Sequence, residues 1–278
     1  MENAMLDNPE TLAAQFLRDG YIFPNPAMSA AQAADYRARL EAVEHAVKDD
    51  PARRKTLRRY SNIVLDFVDE ITRLPSITDR AAAVLGPDIL VLDASFFIKE
   101  PRSSNYVTWH QDLHYWGLDG EDEATAWVAL SPATPASGCM RFVPGSHRQI
   151  VDHRDTFDDQ NLLTRGQEVA VAVDESDAVD VVLAPGEFSL HHGRVFHASE
   201  PNTSDDRRIG LAIRYFATRM KTAGGTPMSA MLVRGQDRHG NFILTKPPCG
   251  VLTDRDMARY EGIAGQRNAA MFKGAKLP

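Results

Sequence analysis

The sequence predicts a mainly β protein: a two-sheet jelly roll with helices packed on one outer face. Three observations predict it. Residues 1–88 carry helical periodicity. From residue 89 onward about nine short apolar runs follow one another, a pattern of short strands. Turn residues divide those runs at Ser131-Pro132, 135–138, Pro144-Gly145, Pro185-Gly186 and Pro201-Asn202. Short runs divided in this way each have one apolar face to bury, and two facing sheets bury them together.

Taken in order, residues 9–18 read as a short helix, with Gly20 placed as its C-terminal cap. Tyr21-Ile22-Phe23 is a brief strand before Pro24 and Pro26. Ser29 is the N-cap of a second helix, where Tyr36, Leu40, Val43 and Val47 make one apolar face and Asp49-Asp50-Pro51 ends the run. A third helical stretch spans 66–85 and is broken or bent near Pro75. Strands are expected at 89–98, 107–112, 125–130, 140–143, 169–173, 179–183, 187–191, 195–199 and 209–216. The tail after Ala223 is punctuated by Gly and Pro, with a short helix over 254–261. Barrels of this length run as one domain, so 1–278 is read as a single unit: a helical part at 1–88, a core at 89–220 and an extension at 221–278.

Composition bounds the function. A net charge of -7 argues against nucleic acid, because phosphate binding needs clustered Lys and Arg. Cys139 and Cys249 are too few for a disulfide scaffold and fit a reducing compartment. No apolar run approaches the roughly 18 residues a membrane span needs, and the first ten residues hold no apolar signal core. The expectation is a cytoplasmic enzyme acting on a small molecule, with neither nucleic acid nor membrane as partner. Its oligomeric state is not legible.

The run Thr108-Trp109-His110-Gln111-Asp112 carries the chemistry. In a strand, residues two apart share a face, so His110 and Asp112 project together. They supply two legs of a 2-His-1-carboxylate triad, which leaves iron sites open for a co-substrate and O2. The third leg is a distant histidine: His191, His192 or His197. Arg208 follows His197 by eleven residues, beyond the turn at 201–205. A strand leaving that turn puts Arg208, Gly210, Ala212 and Arg214 on one face, two guanidinium groups around two small residues. That is a pocket with a bidentate clamp for the far carboxylate of 2-oxoglutarate. His197 is therefore the expected ligand and Arg208 the expected anchor, with Arg214 as its rival.

His110-Gln111-Asp112, the run Pro144-Gly145-Ser146-His147, and His197 with Arg208 together resemble the phytanoyl-CoA dioxygenase family over roughly residues 10 to 220. The resemblance implies a double-stranded β-helix, a cupin-like variant of the jelly roll. It implies Fe(II) held by His110, Asp112 and His197, and 2-oxoglutarate held by Arg208, with O2 as co-substrate. It also implies Trp127 lining the co-substrate pocket and Lys99 close to it. The activity implied is hydroxylation of an unactivated C–H bond, with release of succinate and CO2. Segments 109–118 and 125–140 look more like bacterial small-molecule hydroxylases than acyl-CoA enzymes.

The other polar residues have two readings each. His114 faces the substrate or lies in a solvated loop. Tyr60 and Asn62 approach the mouth of the site. His147 ties a turn to a backbone carbonyl, while His191 and His192 are a hydrogen-bonded core histidine and a surface one. Lys99, Arg102 and one of Arg58 or Arg59 suggest a cationic mouth and a small anionic metabolite; alternatively they balance Asp66, Asp93 and Glu100. Segment 234–248 is a lid or, as we read it, a surface loop. A halogenase of this fold has a small residue where Asp112 stands, so halogenation is not expected. The alternative from another class is a non-catalytic metal-binding jelly roll.

Overall fold

The structure, a computed structural model, describes residues 8–271, without the side chains of His114 and 269–271. Helix α1 (Pro9–Asp19) starts at Asn8, whose side chain accepts the Glu10 N–H, and stops at Gly20 in the left-handed conformation. Strand β1 (Tyr21–Pro26) runs on through both prolines, possible because it is an edge strand. Helix α2 (Ala30–Ala46) opens on a capping box between Ser29 and Gln32. A short α3 (Pro51–Thr56) occupies the basic stretch. The third helical stretch is two helices, α4 (Asp66–Thr72) and α5 (Pro75–Leu85), divided just before Pro75.

The strands are β2 (Ile89–Lys99), β3 (Val107–His110), β4 (Leu118–Asp119), β5 (Glu123–Ala129), β6 (Met140–Phe142), β7 (His153–Asp155), β8 (Gln167–Val169), β9 (Val179–Val181), β10 (Glu187–His191), β11 (His197–Ser199), β12 (Arg208–Ala217), β13 (Lys221–Thr222), β14 (Ser229–Arg234) and β15 (Ile243–Leu244). A seven-stranded sheet has the order β1-β10-β5-β12-β2-β14-β15, and a four-stranded sheet the order β3-β11-β6-β9. Strand alternation decides which side chains meet which layer. Ala126, Val128, Leu211, Ile213 and Tyr215 face the helices, packing with Leu12, Phe16, Leu40, Phe67 and Ile77. Trp127 and Ala212 face the other way, against Met140, Phe142, Val181 and Val195 of the second sheet and its loops. The fold is thus sheet-rich and two-layered, with helices on one outer face, as expected.

Two expectations need correction. The strand expected at 107–112 ends at His110, and Asp112 begins a 3-10 turn, Leu113–Tyr115. The last helix, α6 (Asp254–Met271), does not stop near Glu261 but continues through Gly262 and Gly265. Burial of Tyr260, Ile263 and Ala264 in the main core outweighs the roughly 1 kcal/mol each glycine costs a helix. The tail also adds β14 to the large sheet beside β2. Segment 234–248 is held at the surface through Arg234 to Asp79 and Arg238 to Asp88. Among the described residues no helix is long and apolar enough to cross a membrane.

Candidate active site

His110 and His197 are register partners on antiparallel β3 and β11. Each presents Nδ1 to a backbone carbonyl 2.9 Å away, Thr108 for His110 and Val195 for His197. Those carbonyls accept the Nδ1–H and leave the Nε2 lone pairs for a cation. Asp112 reaches them because the chain turns after His110: its backbone is helical, and its Oδ1 lies 3.3 Å from His110 Nε2. The turn is bolted down by Gln111, whose Nε2 donates to the carbonyls of Gln149 and Arg194, both at 2.7 Å. One ligand atom from each of His110, Asp112 and His197 falls within 4.8 Å of the others.

Burial alone would raise the Asp112 carboxyl, but the Arg214 guanidinium, with His110 beside it, holds it well below the usual carboxylate range. Burial, then His110, pushes His197 down to about 3. Two imidazoles, each with Nδ1 on a backbone carbonyl, beside an ionised carboxylate form the donor set a divalent iron takes, with oxygen and nitrogen on one side only. The residues present fit the metal that the resemblance implies.

Arg208 opens β12 and is fully buried, with its guanidinium carbon 5.2 Å from the Trp127 ring. Its Nη1 donates to the Gly138 carbonyl at 2.8 Å, and its Nε has no partner among the described residues. Burial lowers it to about 10. No described ion pair gives it a carboxylate. Gly210 is required here: a Cβ would come within 1.8 Å of the Trp127 ring, which lies across it. Lys99, the register partner of Arg208, donates to the Ser199 hydroxyl at 2.7 Å and to the Glu200 carbonyl. Burial, then Arg208, brings its amine down to about 6. Arg208, Trp127, Ser199 and Thr125 line one cavity with the three candidate ligands. Thr125 Oγ1 is buried without a hydrogen-bond partner among the described residues. Sequence reasoning missed Ser199 and Thr125, although each stands two residues from a residue it did place, His197 and Trp127.

Arg214 is differently placed: Nη1 donates to Asp93 at 2.8 Å, and Nη2 lies 3.8 Å from Asp112. It borders a second cavity of about 420 Å³ with Tyr60, Asp93, Phe97 and Trp116. Tyr60 lines it, and its buried hydroxyl has no hydrogen-bond partner among the described residues. Asn62 does not line it; its Oδ1 accepts the Ala94 N–H at 2.9 Å and braces β2. Arg102 also falls outside: it is 71% exposed and paired with Asp205, because its loop packs against the turn before β12. Arg58 pairs with Glu44 and Glu100. His191 is buried in the first cavity outside the ligand trio, and His147 donates from Nε2 to the Leu17 carbonyl. His192 is buried, not at the surface, with Nδ1 accepting the Arg194 N–H at 3.0 Å. The side chain of His114 lies outside the described residues.

Residues 16–210 match the family model of phytanoyl-CoA dioxygenase. The chain belongs to the phytanoyl-CoA dioxygenase family. That family is one of dioxygenases. A probable alpha-ketoglutarate-dependent hypophosphite dioxygenase of Stutzerimonas stutzeri is 32% identical over 168 residues, 59% of this chain and 58% of that protein. A phytanoyl-CoA dioxygenase domain-containing protein 1 homolog of Caenorhabditis elegans is 32% identical over 131 residues, 44% of this chain and 45% of that one. The chain thus spans about half the length of the curated relatives it matches. Among solved structures, the non-haem monooxygenase ThoJ in its apo form shares 34% identity at a TM-score of 0.85, covering 94% of this chain and 98% of that one. Its nickel complex shares 32% at 0.81, covering 95% and 100%. CytC3 with Fe(II) and alpha-ketoglutarate, 22% identical at 0.62 over 84% of this chain and 91% of that one, is alike in fold alone.

Proposed function

We propose that this family member is an Fe(II)- and 2-oxoglutarate-dependent hydroxylase of a small metabolite, with iron on His110, Asp112 and His197 and co-substrate on Arg208. One observation carries it: a fully buried arginine, without a carboxylate partner among the described residues, shares a cavity with two histidines and an aspartate in ligand geometry. A buried cation left unpaired is costly, and a carboxylate ligand supplies its missing charge. The bound iron and 2-oxoglutarate supply oxygen activation, with succinate and CO2 as by-products. The chain does the rest. The carbonyls of Thr108 and Val195 fix the imidazole tautomers, Gln111 fixes the turn that carries Asp112, and the Trp127 ring closes one wall against water. Lys99 is braced on Ser199 beside the anchor.

The same reading takes the two sheets as a double-stranded β-helix and 1–278 as one cytoplasmic domain. The substrate would enter by the cavity of about 420 Å³. Of the cations expected to draw an anionic substrate, Arg58 and Arg59 line that cavity, with Arg58 paired to Glu44 and Glu100, while Arg102 lies outside it and Lys99 stands at the co-substrate end. The test is oxygen uptake coupled to 2-oxoglutarate consumption, followed by succinate release across amino acids, phosphonates, acyl-CoA thioesters and neutral terpenoids. Metal binding without any 2-oxoglutarate-dependent uptake would leave the non-catalytic alternative standing. Turnover of neutral hydrophobic compounds alone would remove the anionic substrate but not the cofactors.

A further inference from the structure

Arg214 occupies a place that the hydroxylase reading leaves without a task. It stands, with 11% of its side chain exposed, at the boundary between the cavity of the candidate ligands and the larger one, and borders both. The strand geometry around it is irregular. Ile213 pairs with Ala94 and Tyr215 with Val91, so Leu92 and Asp93 of β2 stand opposite Arg214 alone. Such a bulge re-aims the side chains on either side of it. Here it turns the Asp93 carboxylate onto the guanidinium, and Asp93 Oδ1 accepts both Arg214 Nη1–H at 2.8 Å and the Ser95 hydroxyl at 2.9 Å. The Ser95 oxygen in turn accepts the Tyr60 N–H at 3.1 Å. Trp116 and Phe97 flank the guanidinium at 5.4 and 6.0 Å. Its position is therefore over-determined, by an acid, a bulge and two rings.

The free edge of this fixed cation is directed at one atom. Nη2 lies 3.8 Å from Asp112 Oδ2, while the other oxygen, Oδ1, faces His110 Nε2. The two carboxylate oxygens have different neighbours, one among the ligand atoms and one beside a cation. We propose that Arg214, anchored by Asp93, is a positioning residue for Asp112: it holds Oδ2 off the metal so that Asp112 binds through Oδ1 alone. A carboxylate free to rotate would offer both oxygens and occupy a coordination position that the co-substrate or O2 requires. The same placement separates the tasks of the two arginines on β12, since among the described residues Arg208 has no acid and Arg214 has two.

The proposal rests on the metal-site reading, and the test separates the two. Full-length protein stripped of metal is titrated with Co(II), with affinity followed by calorimetry and coordination by the visible absorption spectrum. Arg214→Gln should bind Co(II) about 10- to 100-fold more weakly, with a changed spectrum, the usual scale for loss of a group that orients a ligand. Arg214→Lys should restore part of the affinity, and Asp93→Asn should shift both readouts in the direction of Arg214→Gln. Should Arg214→Gln not fold by circular dichroism, the Lys and Asp93→Asn variants decide. Wild-type affinity and spectrum in every folded variant of this pair would overturn the proposal, whatever happens to 2-oxoglutarate binding. If Asp112→Ala binds Co(II) as tightly as wild type, the metal-site reading itself fails.

Discussion

His110 and His197 face each other across two antiparallel strands with ring centroids 3.9 Å apart. Two imidazoles held that close, each fixed through its own Nδ1, converge on a single point, and Asp112 closes the third side.

Asp112→Ala is expected to abolish oxidation while leaving the fold intact, since Arg214 keeps Asp93 as its partner. Anaerobic addition of Fe(II) and 2-oxoglutarate should give the wild type a weak visible charge-transfer band that the variant lacks. Full hydroxylation by the variant would remove Asp112 from the ligand set.

Arg208→Ala should raise the 2-oxoglutarate requirement and spare metal affinity. A charge-assisted bidentate bond is worth roughly 1.5–3 kcal/mol, or about one to two decades in Kd. Calorimetric titration of the Co(II) form with 2-oxoglutarate reads it directly. An unchanged Kd would move the anchor elsewhere.

His192 makes the fold sensitive to acid. Burial first, and then the neighbouring His147, lowers it to about 4 from an ordinary 6.5. Between those values the folded chain holds fewer protons than the unfolded chain, so its stability rises with pH. The contribution is complete above about 6.5 and is lost as pH falls through 4, on the order of 3 kcal/mol. Protonation at Nδ1 also displaces the bond from the Arg194 N–H. His192→Asn, which keeps an acceptor, should flatten the dependence of Tm on pH across this window. The same slope in both proteins would exclude His192 as its source.

Gly210→Ala drives a methyl group into the Trp127 ring. Overpacking of this kind costs typically about 1–3 kcal/mol, and the displaced ring should weaken 2-oxoglutarate binding as well. A lowered Tm with unchanged 2-oxoglutarate affinity would separate Trp127 from the co-substrate cavity.

What was legible in the sequence was local. Gly20 ends α1, Ser29 opens α2, and Pro75 divides α4 from α5, because a cap or a proline acts on its own neighbours. That His110, Asp112 and His197 come together was also legible, although the reason given for Asp112 was incomplete: a turn, not the alternation of a strand, brings it round. Pairings between distant segments were not legible. Arg102 meets Asp205, and Arg214 meets Asp93, only because β2 and β12 lie side by side, with a bulge that no local pattern announces. Helix α6 runs past two glycines for the same reason, since the core it packs on is distant in sequence.

The two arginines of β12 each lie against an indole: Arg208 against Trp127, and Arg214 against Trp116. Trp109, the remaining tryptophan of the three, is next to His110 in sequence but turned outward, with its Nε1 donating to Glu175 and Arg141 over its ring. The protein therefore carries an unlabelled optical gauge. Light emitted by Trp127 senses the charge state around the co-substrate anchor, and that of Trp116 senses the cation behind the metal ligand. Trp109, with an acid and a cation of its own, serves as an internal reference. Single-tryptophan variants would read the two ends of the site independently, before any substrate is known.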